Sequence, residues 1–291
     1  MEAKFLLFIF LLATVGCQSF SKLSSINVEN SKARYALFLT VNSAVACVFF
    51  LILGEFRLYL TYNTALFSIG YAAVVFISLI SNLKVLQLME ISNVYVSSNV
   101  CNLIAVSALG FLVFGEEISV LKIMRIIIML ASVFFVFTGL RNKKSNHSKV
   151  SAVLIVIVIA QTSNYLVLKL YALAPNTADD NSFFFFTNVV LILGAAVWFL
   201  KEWRTHPLPV AQSKNFIKPH VILPFVLNTV CSNICSLISI KLISRIEPSL
   251  YTTFTTAISI LCGVITSFIF RERNKVYSYI AVILAIIALI I

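Results

Sequence analysis

The side chains in this sequence that could bind a ligand are uncharged amides and hydroxyls that interrupt long apolar stretches. They recur three or four residues apart, which places them on one face of a helix. Asn228, Ser232 and Ser236 follow this spacing strictly, at intervals of four residues. Polar groups inside a membrane are costly unless they face protein or water. Each such face therefore indicates either hydrogen bonds between helices or the wall of a polar cavity.

Taken as a set, the polar faces favour a cavity that binds a small-molecule substrate. For any single serine or threonine, a hydrogen bond between helices is the commoner role. For the larger amides of asparagine and glutamine, the two roles are about equal. The residues that we expect to line the cavity are Gln18, Tyr71, Tyr95, Asn99, Asn102, Gln161, Asn164, Asn228, Ser232, Ser236, Tyr251, Thr255 and Ser259.

Catalytic and cofactor chemistry is not indicated by the sequence. No charged side chain lies in the middle of an apolar stretch, and His147, His206 and His220 fall in loops or at the start of a helix. The sequence contains no P-loop, GxGxxG, HExxH or GxSxG motif. Cys231 and Cys235 are four residues apart rather than in a CxxC pair, and all six cysteines suit buried core positions. We expect no enzyme activity, no cofactor and no metal site, and a substrate that is neutral, zwitterionic or weakly charged.

The composition shows that lipid must surround the elements that position these residues. Charged residues make up 11% of the 291 residues and hydrophobic residues 60%, with a mean hydropathy of +1.00. A soluble domain carries about 25% charged residues. We therefore predict a multi-pass integral membrane protein, most simply of the plasma membrane. The net charge of +11 suits anionic lipid headgroups, and a nucleic-acid partner is not expected because no soluble basic domain is present.

Ten charge-free runs of 15 or more residues divide the chain, and we number them segments 1 to 10. A transmembrane helix needs about 20 apolar residues, with a range of about 17–25. Segment 5 is short, but Lys122 and Arg125 can reach the interface and let the helix begin earlier, and segment 10 can extend over Lys275. The runs lack the alternation of barrel strands, so we predict ten transmembrane helices. The segments are 5–21, 35–54, 58–83, 91–115, 126–140, 150–168, 181–200, 219–240, 248–270 and 276–291.

The segments differ in how polar they are. Segments 3, 4, 8 and 9 carry polar faces and should meet around the cavity, whereas segments 5 and 10 are hydrophobic on all sides and suit a position against lipid or a second copy in a homodimer. Segment 1 has a second interpretation, because Lys4, Phe5–Val15 and Gly16-Cys17 also resemble a cleavable secretory or lipoprotein signal. Thr14 fits a lipoprotein cleavage site poorly, and segment 1 is needed for the repeat described next.

A basic polar stretch in the middle of the chain separates five segments from five. An offset of 147 residues places Lys22-Leu23 on Lys169-Leu170, and an offset of 156 places Tyr95 on Tyr251. Because five is odd, the second half must enter the membrane in the opposite sense. Inverted repeats are a recurrent transporter design, with the substrate site near the midplane between them. The predicted organisation is a first repeat, a linker and a second, inverted repeat at 1–140, 141–149 and 150–291.

The distribution of positive charge gives a first indication of orientation. If the segments cross the membrane alternately, the side that holds both termini carries seven basic residues and the other side the remaining 15 of the 22. The positive-inside rule then places the richer side in the cytoplasm and both termini outside. The seven residues are Lys4, Arg57, Lys122, Arg125, Lys169, Lys241 and Arg245.

Two short motifs recur at matching places in the two halves. The first runs through 81–92 and ends segment 4 with Phe114-Gly115-Glu116, and the second begins at Ile246-Glu247-Pro248-Ser249 and ends segment 9 with Phe270-Arg271-Glu272. This pattern resembles the EamA-type family of the drug/metabolite transporter superfamily. That family has a proline or small residue at the start of these helices and Gly-Glu at their ends. The matching residues are Ser92, Gly115, Glu116, Pro248 and Glu272, and Arg271 replaces the second glycine.

The resemblance implies ten helices in two inverted repeats, with helices 1–4 and 6–9 around the cavity. It also implies both termini in the cytoplasm, opposite to the charge count, and export or exchange of small metabolites by alternating access. Glu116 and Glu272 would position loops rather than bind substrate. The leading interpretation is a secondary transporter for a small polar metabolite or drug.

Other functions are left open by the sequence. A nucleotide-sugar or lipid-linked sugar carrier is the alternative within transport, although the sequence offers no cationic pair at mid-membrane for a diphosphate. A membrane enzyme would need a cluster of His, Asp or Glu near one interface, which the sequence does not provide. A membrane assembly factor is the remaining interpretation from a different class.

Overall fold

The chain folds into ten α-helices, with no strand, in the part that the computed structural model describes, namely 3–28, 32–88, 91–117, 119–140, 147–205, 219–244, 246–271 and 276–290. The predicted all-α class is confirmed for these residues. The helices follow the ten predicted segments in order: α1 (Ala3–Val28), α2 (Lys32–Leu53), α3 (Tyr62–Leu88), α4 (Ile91–Leu112), α5 (Val120–Leu140), α6 (His147–Leu173), α7 (Asp180–Thr205), α8 (Pro219–Ile243), α9 (Pro248–Ile269) and α10 (Val276–Ile290).

Several helices extend beyond the charge-free runs, because a lysine or arginine can stay in a helix while its charged end reaches the interface. α5 begins at Val120, ahead of Lys122 and Arg125, as its short run predicted. α1 and α6 likewise continue past Lys22 and Lys169. The predicted extension of the last helix over position 275 lies outside the described residues.

Eight of these helices are long and apolar enough to cross a membrane, α1 to α4 and α6 to α9. The protein is therefore a multi-pass integral membrane protein. Two of the ten predicted spans do not meet this criterion within the described residues. α10 has 15 residues, below the minimum of about 17 for a perpendicular crossing, and α5 is the other.

Most helices make little contact with the helix that follows them, and each packs mainly on a helix from the other half of the chain. The main pairs are α1–α8, α2–α7, α3–α6, α4–α9 and α5–α10. Smaller contacts also come in matching pairs: α1–α9 with α4–α6, α3–α7 with α2–α8, α4–α5 with α9–α10, and α1–α3 with α6–α8. Each half buries its apolar faces mainly against the other, so the two halves form one interleaved bundle.

The connections between helices define two ends of the bundle. The α2–α3 and α6–α7 connections meet where Asn63 Nδ2 donates to the Pro175 carbonyl at 2.7 Å, and the α4–α5 and α8–α9 connections meet where Lys122 contacts Glu247 at 2.8 Å. We call this end face A. Face B is the opposite end, where α1 and α3 end and α2 and α4 begin.

Aromatic rings fill the space between α2, α3, α6 and α7. Tyr171 stacks on Phe183 with ring centroids 4.1 Å apart, and Phe50 stacks on Phe184 at 5.1 Å. Each such pair contributes about 0.5–1.5 kcal/mol beyond the area it buries. The α2–α7 pair therefore forms an apolar layer that packs against α3 and α8.

The outer surface of the bundle is apolar. Ile127 and Phe134 on α5 and Ile283 on α10 are each more than half exposed, as are Leu66 on α3 and Leu193 on α7. Exposed apolar patches of this extent on a soluble protein would mark an interaction surface. On a bundle of membrane-spanning helices they are the surface that lipid covers.

Candidate functional site

A polar cavity of about 300 Å³ lies inside the bundle and is lined from α1, α3, α4, α6, α8 and α9. α2, α5, α7 and α10 contribute none of its described lining residues. Twelve of the thirteen residues predicted from sequence lie on this one cavity: Gln18, Tyr71, Tyr95, Asn99, Asn102, Gln161, Asn164, Ser232, Ser236, Tyr251, Thr255 and Ser259.

The set of lining helices differs from both expectations. The polar faces of segments 3, 4, 8 and 9 do meet, but α1 and α6 line the cavity as well. The family resemblance implied α2 and α7 in addition, and the structure places them behind the wall. The physical reason is that their aromatic side chains pair with each other, as Phe50 does with Phe184, and with rings on α3 and α6. The buried amide of Asn42 on α2 is also occupied, because its Oδ1 accepts a hydrogen bond from Thr229 on α8.

Asn228 is the predicted residue that lies outside the cavity lining. Its side chain is 3% exposed, and its Oδ1 accepts from Ser21 Oγ at 2.8 Å and from Cys17 Sγ at 3.6 Å. Both donors are on α1, so this amide joins α8 to α1. Asn228 therefore makes hydrogen bonds between helices, which is the other of the two roles that the sequence left open for an asparagine.

Ten lining residues were not in the predicted set. Several follow from the same helical spacing: Thr14 is four residues before Gln18, and Tyr165 is four residues after Gln161. Cys17 and Cys235 were expected in the packed core, where cysteine is most often found. The remaining members are apolar or extend polar faces already noted: Phe10, Asn82, Leu168, Ser239, Ile243 and Thr252.

Hydrogen bonds across the cavity join the two halves of the chain. Gln18 Nε2 donates to the Ser259 carbonyl at 2.9 Å, linking α1 to α9. Thr162 Oγ1 donates to Asn102 Oδ1 at 3.0 Å, linking α6 to α4. These two bonds lie in the matched contacts α1–α9 and α4–α6. The cavity wall is therefore built by the same polar residues that hold the helices together.

Four lining residues carry a buried polar atom with no hydrogen-bond partner among the described residues. The atoms are Gln18 Oε1, Gln161 Oε1, Asn164 Oδ1 and Tyr165 OH. Leaving such an atom unpaired costs about 1–3 kcal/mol. Native structures pair nearly all buried polar groups with protein or water. The wall around α1 and α6 therefore has hydrogen-bonding capacity that a bound molecule can use.

The wall contains no charged side chain among its described residues. Hydroxyls, amides and thiols can orient a ligand, but they offer no carboxylate or imidazole for acid–base chemistry at neutral pH. The described residues also contain no group of three His, Cys, Asp or Glu that could bind a metal ion. What the arrangement can do is bind an uncharged or weakly charged polar molecule.

The family-motif residues Gly115, Glu116 and Pro248 lie at face A rather than in the cavity. Glu116 Oε1 accepts from the Ser249 backbone N–H at 3.3 Å, in the first turn of α9, where Pro248 is the first residue. A carboxylate there interacts favourably with the positive end of the helix dipole. Lys122 Nζ lies 3.5 Å from Glu116 Oε2. The motif glutamate thus positions the end of a helix.

Close packing explains Gly110, and backbone conformation explains the motif glycine, Gly115. A Cβ on Gly110 would lie 2.8 Å from Glu116 Cδ, so a glycine leaves room for the carboxylate. Gly115 has a φ of +66°, which favours glycine. Arg271, at the matching place in the second half, has a φ of +51° and takes the same turn with a side chain. Glu272 and the side chain of Ser92 lie outside the described residues.

The chain as a whole is similar to a solved structure described only as "Crystal structure of protein". The two align over 99% of this chain and 96% of the other, with a TM-score of 0.57 and 15% sequence identity. At that identity the likeness shows a shared fold and nothing of function. No protein-family model matches the chain, and no curated protein sequence matches it.

Proposed function

We propose that this chain is a secondary transporter of the EamA type, in the drug/metabolite transporter superfamily, that moves a small polar metabolite or drug by alternating access. The observation that carries the proposal is the central cavity, which both halves of a membrane-spanning bundle line with amides and hydroxyls. Transporters bind their substrates near the midplane between repeats. Ser232 and Gln161 lie near the middle of α8 and α6, at the depth this design requires.

An inverted repeat is supported by the packing. Exchanging each helix for the one five places later converts α1–α8 into α6–α3 and α1–α9 into α6–α4, and these are contacts that the bundle makes. The pairs α2–α7, α4–α9 and α5–α10 are converted into themselves. This is the pattern of a two-fold axis through the bundle. With five helices in each half, that axis lies in the membrane plane.

The residues of the cavity wall are related by the same exchange of helices. With the offset of 147, Thr14, Cys17 and Gln18 match Gln161, Asn164 and Tyr165, and all six line the cavity. With the offset of 156, Tyr95 and Asn99 match Tyr251 and Thr255, which also line it. Equivalent positions of the two halves therefore face each other across one space, as alternating access between two symmetric states requires.

The substrate is a small molecule without a strong negative charge. A volume of about 300 Å³ is at the lower limit of ligand pockets, which run from about 300 to 1,000 Å³. No arginine or lysine is present among the described lining residues to bind a diphosphate. The observation favours a neutral or zwitterionic metabolite over a nucleotide sugar. Residence in the plasma membrane and a homodimer through the exposed faces of α5 and α10 stay predictions.

Counterflow in proteoliposomes tests the proposal directly. Vesicles loaded with one candidate at high concentration should accumulate the labelled form of the same compound, first with neutral and zwitterionic metabolites and then with phosphorylated ones. Gln161→Leu, in the wall, should abolish uptake, whereas Leu193→Ala, on the lipid face of α7, should not. Uptake of phosphorylated compounds alone would overturn the substrate assignment. Equal loss of uptake in both variants would overturn the assignment of the cavity.

Solvent access to the cavity provides a second test that needs no substrate. In a background with all six cysteines replaced by alanine, Asn99→Cys and Ser232→Cys should react with a membrane-permeant polar thiol reagent. Ile283→Cys, on the exposed face of α10, should react far more slowly because a thiol in lipid does not ionise. Equal labelling of α8 and α10 would show that the cavity is not the aqueous site.

A further inference from the structure

Two lysines make the same unusual hydrogen bond in the two halves of the chain. Lys22 Nζ, on α1, donates to the Leu86 carbonyl of α3 at 2.9 Å. Lys169 Nζ, on α6, donates to the Ile243 carbonyl of α8 at 2.8 Å. The two lysines match at the offset of 147, and each joins the first helix of its half to the end of the third. The two halves therefore share this contact as well as the lysine that makes it.

Each lysine donates a hydrogen bond to a backbone carbonyl that has no partner within the carbonyl's own helix. The last four carbonyls of a helix have no partner within it, and Leu86 and Ile243 are both in the last four residues of their helices. At the end of α8, the neighbouring carbonyls of Ile240 and Leu242 accept from backbone N–H groups of the following turn. A positive charge also interacts favourably with the negative end of the helix dipole.

The two bonds lie at opposite ends of the cavity. Lys22 is one turn beyond Gln18 and nearer face B, and Lys169 is one turn beyond Tyr165 and nearer face A. Gln18 and Tyr165 both line the cavity. Between the two ends, α1, α3 and α8 present Cys17, Tyr71 and Cys235 to the open space. The α1–α3 contact therefore lies beyond the cavity on the side of face B, and the α6–α8 contact lies at its end on the side of face A, where Leu168 and Ile243 are part of the lining.

The contact at face B is reinforced within the first half. Gln87 Nε2 donates to the Ser25 carbonyl at 2.8 Å, and Tyr35 OH donates to Gln87 Oε1 at 2.8 Å. If the cavity opens towards face B between α1 and the end of α3, the bond from Lys22 breaks. By the same geometry, an opening towards face A between α6 and the end of α8 breaks the bond from Lys169.

We propose that Lys22 and Lys169 are a matched pair of positioning residues for the transport cycle, with Lys22 holding the face B entrance of the cavity closed and Lys169 holding the face A entrance closed. This inference rests on the proposed function, because it assigns the lysines to the two states of alternating access. If the two lysines only capped helix ends, their removal would lower stability without changing which entrance is open. A change in which entrance is open therefore distinguishes the proposed role from that of a helix cap.

The test measures access to the cavity from each side. The reporter is Ser232→Cys in the background without the six cysteines, and a charged, membrane-impermeant thiol reagent is applied to right-side-out and to inverted membrane vesicles. Lys22→Met should increase labelling from one side relative to the other by about tenfold, the lower end of what a charge-assisted hydrogen bond supplies. Lys169→Met should shift the ratio by a similar factor in the opposite direction. The orientation of the protein need not be known, because the opposite signs are the result.

Matched controls separate the bond from the charge. Lys84 on α3 and Lys241 on α8 are exposed at the same two ends, so Lys84→Met and Lys241→Met should leave the ratio as in the parent protein. Lys22→Arg and Lys169→Arg should also leave it unchanged, because a guanidinium still donates to a carbonyl. If either methionine variant does not fold, Lys22→Gln and Lys169→Gln are measured in the same way and should shift the ratio with the same signs.

The outcomes distinguish this inference from the proposed function. If Ser232→Cys in the parent background is labelled from neither side, alternating access itself is wrong. If it is labelled from both sides and the lysine variants shift the ratio in the same direction, or not at all, the transporter stands and the role of the lysines is overturned. Opposite shifts in the two methionine variants, with the ratio of the parent protein kept in the arginine variants, support the role of both residues.

Discussion

Gly16 permits a close contact between the two halves, and its replacement gives a quantitative test of the packing. A Cβ added to Gly16 on α1 would lie 2.7 Å from Cys231 Sγ and 3.7 Å from Cys231 Cβ on α8. Apolar atoms pack best at about 3.5–4.0 Å, so Gly16→Ala must move the two helices, or the thiol, by about 1 Å. The contact is one residue from Cys17, in the cavity wall.

The expected cost follows from three contributions. Overpacking a close contact costs about 1–3 kcal/mol. A separation of about 1 Å would lengthen the 2.8 Å bond from Ser21 to Asn228 beyond hydrogen-bonding range, which costs about 1 kcal/mol more. Alanine recovers about 1 kcal/mol because it favours a helix over glycine. Gly16→Ala should therefore lower the free energy of unfolding by about 1–3 kcal/mol.

A double-mutant cycle in detergent micelles measures the contact itself. Unfolding is followed by circular dichroism during a titration with a denaturing detergent. With Cys231→Ala present, Gly16→Ala should cost less than about 0.5 kcal/mol, which gives a coupling energy of about 1–3 kcal/mol. Gly70 on α3 has no heavy atom within 4 Å of an added Cβ, so Gly70→Ala should be neutral or stabilising. The packing argument fails if Gly16→Ala costs the same with and without Cys231, or no more than Gly70→Ala.

Three further predictions concern the turns, the helix ends and the cavity wall. Gly115→Ala should lower the free energy of unfolding by about 1–2 kcal/mol, because φ is +66° there. Arg271→Gly, at φ +51°, should leave stability unchanged or raise it by up to about 1 kcal/mol, because the relieved strain is offset by the flexibility of glycine in the unfolded chain. A clearly less stable variant in the same titration would contradict this. Glu116→Ala should cost about 1–2 kcal/mol by removing the cap of α9, whereas its exposed neighbour Glu117→Ala should stay within about 0.5 kcal/mol; equal effects would mean that Glu116 caps nothing. Tyr165→Phe removes a hydroxyl without a partner among the described residues, so stability should not fall while counterflow declines, and a loss above about 1 kcal/mol would show that the hydroxyl is already satisfied within the protein.

The positions of the helices could be predicted because charged residues are nearly excluded from the middle of a membrane-spanning helix. Their ends were less certain, since a lysine can remain helical and bond beyond the interface, as Lys22 does with Leu86. Which helices pack together could not be predicted from the sequence of any one segment. An apolar helix has no polar or charged pattern that identifies its neighbour, and α5 and α10 pack together without one. The sequence repeat predicted a site between the two halves, but it did not indicate that each helix packs mainly on one from the other half.

The cavity could be predicted to a large extent because polar residues in a membrane must face one another or water. The same rule explains the omissions: cysteine is close to apolar in its preferences, so Cys17 and Cys235 gave no signal although both line the wall. Arg271 illustrates a different limit. Its identity departs from the glycine of the family pattern, yet its backbone takes the same left-handed turn as Gly115, which no property of an arginine side chain predicts.

The polar face of α8 shows why helical spacing alone cannot separate a cavity wall from a helix contact. A helix turns about 100° per residue, so each step of four residues rotates a side chain by about 40° past a full turn. From Asn228 to Ser236 the row therefore drifts by about 80°, enough to leave one neighbour and reach another. The structure follows that drift: Asn228 bonds to Ser21 on α1, and Ser232 and Ser236 line the cavity. The row on α9 is equally strict, yet Tyr251, Thr255 and Ser259 all stay on the cavity wall. The same spacing therefore serves a wall on α9 and a passage from contact to wall on α8, because the neighbours of the two helices differ.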